Sequence, residues 1–337
     1  MTASTIQPDR ILRELSELWV SFGKQNGDDS NGVLRACAMT LIVLAEAGED
    51  ANEVGETLAN LMREHPSRAI VVRVSDSQEP ALAARVFTQC WMPFGQRRQI
   101  CCEQIEISAS DSSLADVPAV VLPLLVADLP VILWSRPPRL LASPAWRDLS
   151  GIATKTIIDS TPFLDQREAL QRLARATASG SLLADLAWTR LTRWRELIAQ
   201  IFENPVYFSH LPSITAVTIY HTAKVPPAGI WYIAAWLQQC LERAGSKSRV
   251  RVEQAGGPCD SGLSRIEFAS EAPSGLSVSV RKVEGSAAEV RVNALVNRTV
   301  FPEASDYVLL REELSIPGHD PTFEAALPSA VELATAS

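Results

Sequence analysis

Apolar positions at helical spacing open the chain: Ile11, Leu12, Leu15, Leu18, Trp19 and Phe22 share one face over residues 8–22. Residues 23–32 are polar and glycine-punctuated, and read as a loop. Residues 38–45 and 69–74 are short apolar runs that read as strands, the second rich in β-branched residues. Between them, residues 50–64 align Val54, Leu58 and Leu61 as a helix that Pro66 stops. That order is a β-α-β unit, so the two strands are expected to pair in parallel. Residues 99–108 alternate as a further strand. Residues 113–127 read as an apolar helix with Pro118 in its first turn and a kink at Pro123. Strands are predicted at 131–134 and 154–159, and a helix at 164–178.

The second half changes rhythm. A strand at 214–221 and a helix at 230–243 precede four short alternating runs, 249–253, 264–269, 276–283 and 289–296, joined by Gly, Pro and Ser. These predict an antiparallel meander with one wet face. Two helices, 305–315 and 322–334, follow. The expected fold class is α/β, with α+β character in the second half. A mostly parallel sheet with flanking helices leads into a second domain of meander and packed helices. The Ser179-Gly180-Ser181 stretch marks the expected hinge, with domains at 1–180 and 181–337.

Residues 185–202 are the most distinctive stretch. Trp194, Leu197, Ile198 and Ile201 form a helical stripe, with Thr192 placed as its N-cap and Asn204-Pro205 as its stop. Trp188, Arg190, Arg193 and Arg195 crowd the same stretch. It reads either as a core helix with solvated arginines or as a recognition surface, since Trp and Arg dominate binding hot spots. The direction of the two indoles separates these readings.

Composition narrows the function classes. The 337 residues carry a formal charge of −8, which argues against a general nucleic-acid or anionic-membrane binder. No run reaches the roughly 18 apolar residues of a membrane helix, and residues 1–10 lack a signal-peptide layout. A cytoplasmic protein is expected. Its six cysteines (Cys37, Cys90, Cys101, Cys102, Cys240 and Cys259) show no zinc spacing and are expected to be reduced, mostly buried thiols. In that compartment Asn297-Arg298-Thr299 is not a glycosylation site.

Catalytic signatures are sparse. P-loop, dinucleotide-binding glycine, zinc-protease and nucleophile-elbow motifs are absent, and no cofactor or metal is expected. Ser21 and Lys24 match S-x-x-K without the companion motifs of those enzymes. His65, His210, His221 and His319 are scattered singly and read as structural or surface residues. Ser135 and Arg136 follow a strand's C-terminal end, where α/β sheets bind ligands, and Arg136 could clamp a phosphate; the plainer reading is a capped strand and rigid turn. Asp159-Ser160-Thr161 is expected to N-cap the next helix rather than rim a site.

Two segments together carry a resemblance. Asp128-Leu-Pro-Val-Ile-Leu-Trp-Ser-Arg136 and Asp185-Leu-Ala-Trp188, continued through Arg190-Leu-Thr-Arg-Trp-Arg-Glu-Leu197, are similar to the glucose-6-phosphate dehydrogenase assembly proteins known as OpcA. Ile157-Ile-Asp-Ser160 fits the same pattern. The match is close over roughly residues 120–205 and rests on element order beyond them. The chain departs from the pattern near Ser135-Arg136, where the family commonly has a second Trp and a Gly, and at Arg193, where it has Pro. The resemblance implies a non-catalytic cytoplasmic protein that binds glucose-6-phosphate dehydrogenase and promotes its assembly or activity at the entrance to the oxidative pentose phosphate pathway. The candidate contacts on that reading are Trp188, Arg190, Arg193, Trp194 and Arg195. The alternatives are a sugar-phosphate enzyme or sensor at Arg136 and a purely architectural scaffold.

Overall fold

The structure, a computed structural model, describes residues 6–25, 33–93, 99–255, 262–270 and 275–336. Its contacts divide the chain into two compact units: residues 1–159 with 182–184 and 313–315, and residues 160–181 with 185–312 and 316–337.

Unit 1 is an α/β layer. In chain order it contains α1 (Pro8–Gln25), β1 (Val33–Arg35), β2 (Met39–Glu46), α2 (Ala51–Glu64), β3 (Ser67–Ser75), β4 (Leu82–Trp91) and β5 (Gln99–Ser110). Then come α3 (Val117–Val121), β6 (Val131–Ser135), α4 (Pro144–Ile152), β7 (Lys155–Ile158) and β8 (Leu183–Asp185). The strands form one sheet in the order β1-β5-β3-β2-β6-β7-β8, with β4 also on β5. The β2–β3 pair is parallel, as the β-α-β pattern predicts; β1–β5, β3–β5, β2–β6 and β6–β7 are parallel too, while β4 runs antiparallel to β5. Strands β2 and β3 are buried along nearly their whole length, which is why they read as continuous apolar runs rather than alternating ones. Ile42, Ile70, Ile105 and Leu133 from four strands share a core with Ile11 and Leu15 of α1 and Leu149 of α4.

Several local expectations change. The predicted helix at 113–127 is a 3-10 turn (Asp111–Asp116), then α3, then a second 3-10 turn (Leu122–Leu124). Two prolines only five residues apart leave little room for a continuous i→i−4 ladder. Helix α1 runs on through residue 25, and the remainder of the predicted 23–32 loop lies outside the described residues. Strand β4 and helix α4 carry weak periodicity and are seen only in the structure. Finally, Cys90 and Cys101 form a disulfide, contrary to the expectation of reduced thiols. They sit directly opposite in the β4–β5 register, 4.1 Å apart at Cα, a proximity that single-chain spacing does not reveal. Cys37, Cys102 and Cys240 are free; burial pushes the Cys102 thiol up to about 11. Cys259 lies outside the described residues.

Unit 2 adds α5 (Gln166–Ala178), α6 (Leu186–Thr189), α7 (Thr192–Phe202), α8 (Pro205–Phe208), β9 (Ile214–His221) and α9 (Ala228–Arg243). Strands β10 (Arg249–Gln254), β11 (Leu263–Ser270), β12 (Val278–Val283), β13 (Ala287–Val292) and β14 (Leu295–Val300) follow, then α10 (Asp306–Leu314) and α11 (Pro321–Ala336). The sheet order is β10-β9-β11-β12-β13-β14. The meander holds from β11 to β14, but β10 pairs parallel to β9, so the sheet is mixed. The predicted strand at 289–296 is a hairpin: Asn293, in the left-handed region at φ 53°, turns β13 into β14. Asparagine tolerates that conformation better than most residues.

The central strands of this sheet alternate between a buried and a wetter face. One face buries Val217, Ile219, Ile266, Phe268, Val278 and Val280. By register, the opposite face carries Arg249, Arg251, Arg265, Arg281, Arg291 and Arg298 with Glu253, Glu267 and Glu289.

Candidate protein-interaction site

The 185–202 stretch is built around Asp185, which is fully buried. Its Oδ1 accepts the backbone N–H of Ala187, capping α6, and the N–H of Ser160, both at 2.9 Å. Its Oδ2 accepts the Tyr232 hydroxyl at 2.8 Å. Burial first, and then the charge of Asp185, push the Tyr232 phenol well above its ordinary range, so it stays a donor. A third device holds the same corner: Gln166 Nε2 donates to the carbonyls of Ser160, Thr161 and Phe163, while its Oε1 accepts from Ala228 N–H. The Asp159-Ser160-Thr161 segment therefore does not cap α5; Asp165 does, accepting from Glu168 N–H.

Both indoles point inward. Trp188 is 2% exposed, packs against Tyr232 and Phe323 at ring distances of 6.0 and 5.8 Å, and donates from Nε1 to Asp320 at 2.9 Å. Trp194 is equally buried and meets Phe301 edge-on at 5.3 Å. Arg195 lays its guanidinium 3.7 Å over the Trp188 ring and donates to Thr192 Oγ1 at 2.9 Å. Of the five candidates, the two tryptophans and Arg195 thus serve the packing of unit 2. An indole is best buried in an apolar bed with one acceptor, and Trp188 has both.

Thr192 is not the N-cap of α7. It is the first helical residue, preceded by Leu191 without a side-chain cap, and its hydroxyl donates to Glu312 at 2.5 Å. The short helix α6 runs almost directly into α7, so no extended residue stands in the cap position. Arg190 and Arg193 reach the surface. Arg190 donates to Thr161 Oγ1 at 3.0 Å, and Arg193, with its side chain 69% exposed, pairs with Glu196 at 3.1 Å.

Ser135 and Arg136 sit in unit 1. Ser135 is buried, and its Oγ finds no hydrogen-bond partner among the described residues. Arg136 pairs with Glu49 at 2.5 Å and Glu53 at 3.5 Å, and its guanidinium lies 5.1 Å from the Trp134 ring centre. Two carboxylates already occupy this cation, and their charge opposes a phosphate. Arg136 reads as a clamp between the end of β6 and α2.

Asp185, Gln166 and Tyr232 escaped the sequence reading as a set. Asp185 heads the distinctive stretch, which was the available signal; its partners lie 25 and 47 residues away. His221 lines a cavity of about 620 Å³ with Trp231, Val250, Val252, Pro226 and Leu333. Burial holds its imidazole below the ordinary histidine range. Among the described residues no group of three or more His, Cys, Asp or Glu is placed to hold a metal, and no helix is long and apolar enough to cross a membrane.

Two family models match the chain. Residues 33–175 match the glucose-6-phosphate dehydrogenase subunit N-terminal domain of OpcA, and residues 181–327 match the corresponding C-terminal domain. A Nostoc punctiforme protein provisionally named OxPP cycle protein OpcA is 28% identical over 210 residues, covering 61% of this chain and 43% of the relative. Its namesake in Synechococcus elongatus is 26% identical over 225 residues, covering 64% and 48%. The chain therefore spans under half the length of these curated relatives. Among solved structures, a 3-ketoreductase from Actinomadura kijaniata, crystallised with TDP-benzene and NADP, superposes with a TM-score of 0.48 at 11% identity, covering 88% of this chain and 96% of that one. A dehydrogenase from Chromobacterium violaceum gives 0.47 at 12% identity, covering 88% and 94%. Likeness at that level assigns no chemistry.

Proposed function

Since this chain belongs to the OpcA family, we propose that it is a non-catalytic cytoplasmic assembly factor that binds glucose-6-phosphate dehydrogenase and favours its active oligomer. The observation that carries this reading is the pair of matches, over 33–175 and 181–327, to models described as domains of a glucose-6-phosphate dehydrogenase subunit. Activation requires a preference: a partner that binds active and inactive states equally shifts nothing, however tightly it binds. The contacts proposed from the distinctive stretch are Arg190 and Arg193, whose side chains reach solvent while Trp188 and Trp194 frame the helix from beneath.

The test is to co-purify the chain with the dehydrogenase of the same organism, then measure the enzyme's substrate affinity and oligomer size with and without it. An enzyme whose kinetics and assembly are indifferent to the chain overturns the proposal. Arg190→Glu and Arg193→Glu then probe the contacts. Undiminished activation by both folded variants removes this helix from the interface.

A further inference from the structure

The outward face of the second sheet carries six arginines against three glutamates, a net +3 on a chain whose overall formal charge is −8. The face carries both signs, but arginine outnumbers glutamate two to one. Two of the three glutamates, Glu289 and Glu267, are themselves engaged. Glu289 is only 5% exposed beneath Arg281, Arg291 and Arg298, at 2.8, 3.4 and 3.5 Å. Its burial opposes ionisation, but the hydrogen bonds and charges of Arg281 and Arg291 outweigh that and hold the carboxyl below its usual range. Glu267 pairs with Arg265 at 3.3 Å. Arg249 and Arg251 on the edge strand β10 are exposed and make no ion pair among the described residues.

The face also has the make-up of a contact surface. The Arg265 guanidinium stacks 4.0 Å over Tyr220, which projects from β9, the strand next to the β10 edge. At the far edge, Val296 and Val300 are 44% and 80% exposed beside Arg298. Arginine and tyrosine are enriched where proteins meet. Six strands spaced about 4.8 Å apart and about 20 Å long give roughly 600 Å² in projection, close to one side of a standard interface.

We propose that this arginine-bearing sheet face is the docking surface for an acidic patch on the partner protein, which on the reading above is the dehydrogenase. Charge complementarity selects that occupant. A second copy applied through the same face sets +3 against +3, which a two-fold contact cannot avoid. A nucleic acid meets the three interleaved glutamates and a chain that is negative as a whole. The inference rests on the proposed function but reaches beyond it, because it moves the main contact from helix α7 to the sheet.

Binding of the full-length chain to the dehydrogenase, measured by biolayer interferometry at low and high salt, tests it. The variants are Arg249→Gln/Arg251→Gln/Arg298→Gln, which removes charge without reversing it, and Arg251→Glu/Arg298→Glu. The neutral triple variant is expected to bind about tenfold more weakly and the reversal about a hundredfold, mainly through slower association and with a flatter salt dependence. Wild-type affinity in both folded variants overturns the sheet-face assignment and leaves the proposed function standing. Absence of wild-type binding overturns the proposed function and this inference with it. Two further results overturn the acidic-protein assignment: a wild-type dimer in sedimentation that the reversal dissolves, or heparin bound as tightly as the dehydrogenase.

Discussion

Replacing Asp185 with alanine removes one acceptor group from three donors at once. The Ser160 and Ala187 amides and the Tyr232 hydroxyl each lose a partner, at 2.9, 2.9 and 2.8 Å, in a place where water has no access. An orphaned buried donor costs about 1–3 kcal/mol, so the sum is on the order of 5 kcal/mol. Domain stabilities lie at about 5–15 kcal/mol, so Asp185→Ala is expected to leave the protein marginal or unfolded. The milder series is more informative. Asp185→Asn keeps an oxygen for the two amides and loses the charge, while Tyr232→Phe deletes one hydrogen bond at about 1 kcal/mol. Urea titration followed by far-UV circular dichroism and tryptophan fluorescence suits the site, because Trp188 packs edge-on against Tyr232. A double-mutant cycle of Asp185→Asn and Tyr232→Phe is expected to show coupling of at least about 0.5 kcal/mol. If Asp185→Ala lies within about 1 kcal/mol of wild type, the corner does not hold the fold and the argument from orphaned donors is wrong.

Other consequences follow from the same geometry. Glu103 accepts from Trp19 and Arg68 at 2.6 Å and pairs with Arg35 at 2.8 Å; Glu103→Ala strands the nearly buried Arg68 guanidinium and is expected to cost about 3–5 kcal/mol in thermal or urea unfolding. Cys90→Ser opens an 11-residue loop, lowering stability by up to roughly 3 kcal/mol on the chain-entropy account, while thiol titration in denaturant should find two more thiols after reduction than before. His221 has a folded pKa below its ordinary 6.5, so the unfolded chain takes up the proton first. Its contribution is therefore fully present above about pH 6.5 and is lost as the pH falls toward the depressed folded value. His221→Gln is expected to lose less stability than wild type on acidification through that window, and parallel pH–stability curves would refute the assignment.

The elements with strong periodicity were legible in the residues. Helix α1, strands β2 and β3 with their parallel pairing, and the β11–β12–β13 part of the meander follow from spacing that repeats within a dozen residues. The family was legible too, in the Asp128–Arg136 and 185–197 segments, since its signature is a matter of residue order. Strand β4 was not, because Leu82, Ala84 and Val86 alternate only weakly with their neighbours. Nor was the break at Asn293, where a single left-handed residue without a following glycine reverses the chain.

What the residues determined alone is the set of local conformations and the composition of each face, because both depend on side chains close together along the chain. The partners of those faces were decided by tertiary structure. Trp188 meets an acceptor 132 residues away, and Arg136 meets its glutamates 83 and 87 residues away. For the Trp/Arg stretch, which reads either as a core helix or as a recognition surface, only the fold decides that both indoles turn inward. The same separation explains why arginines scattered over five short strands come together as one positive face. Hydrophobic burial and charge pairing act through space, and only the folded chain says which distant residues share it.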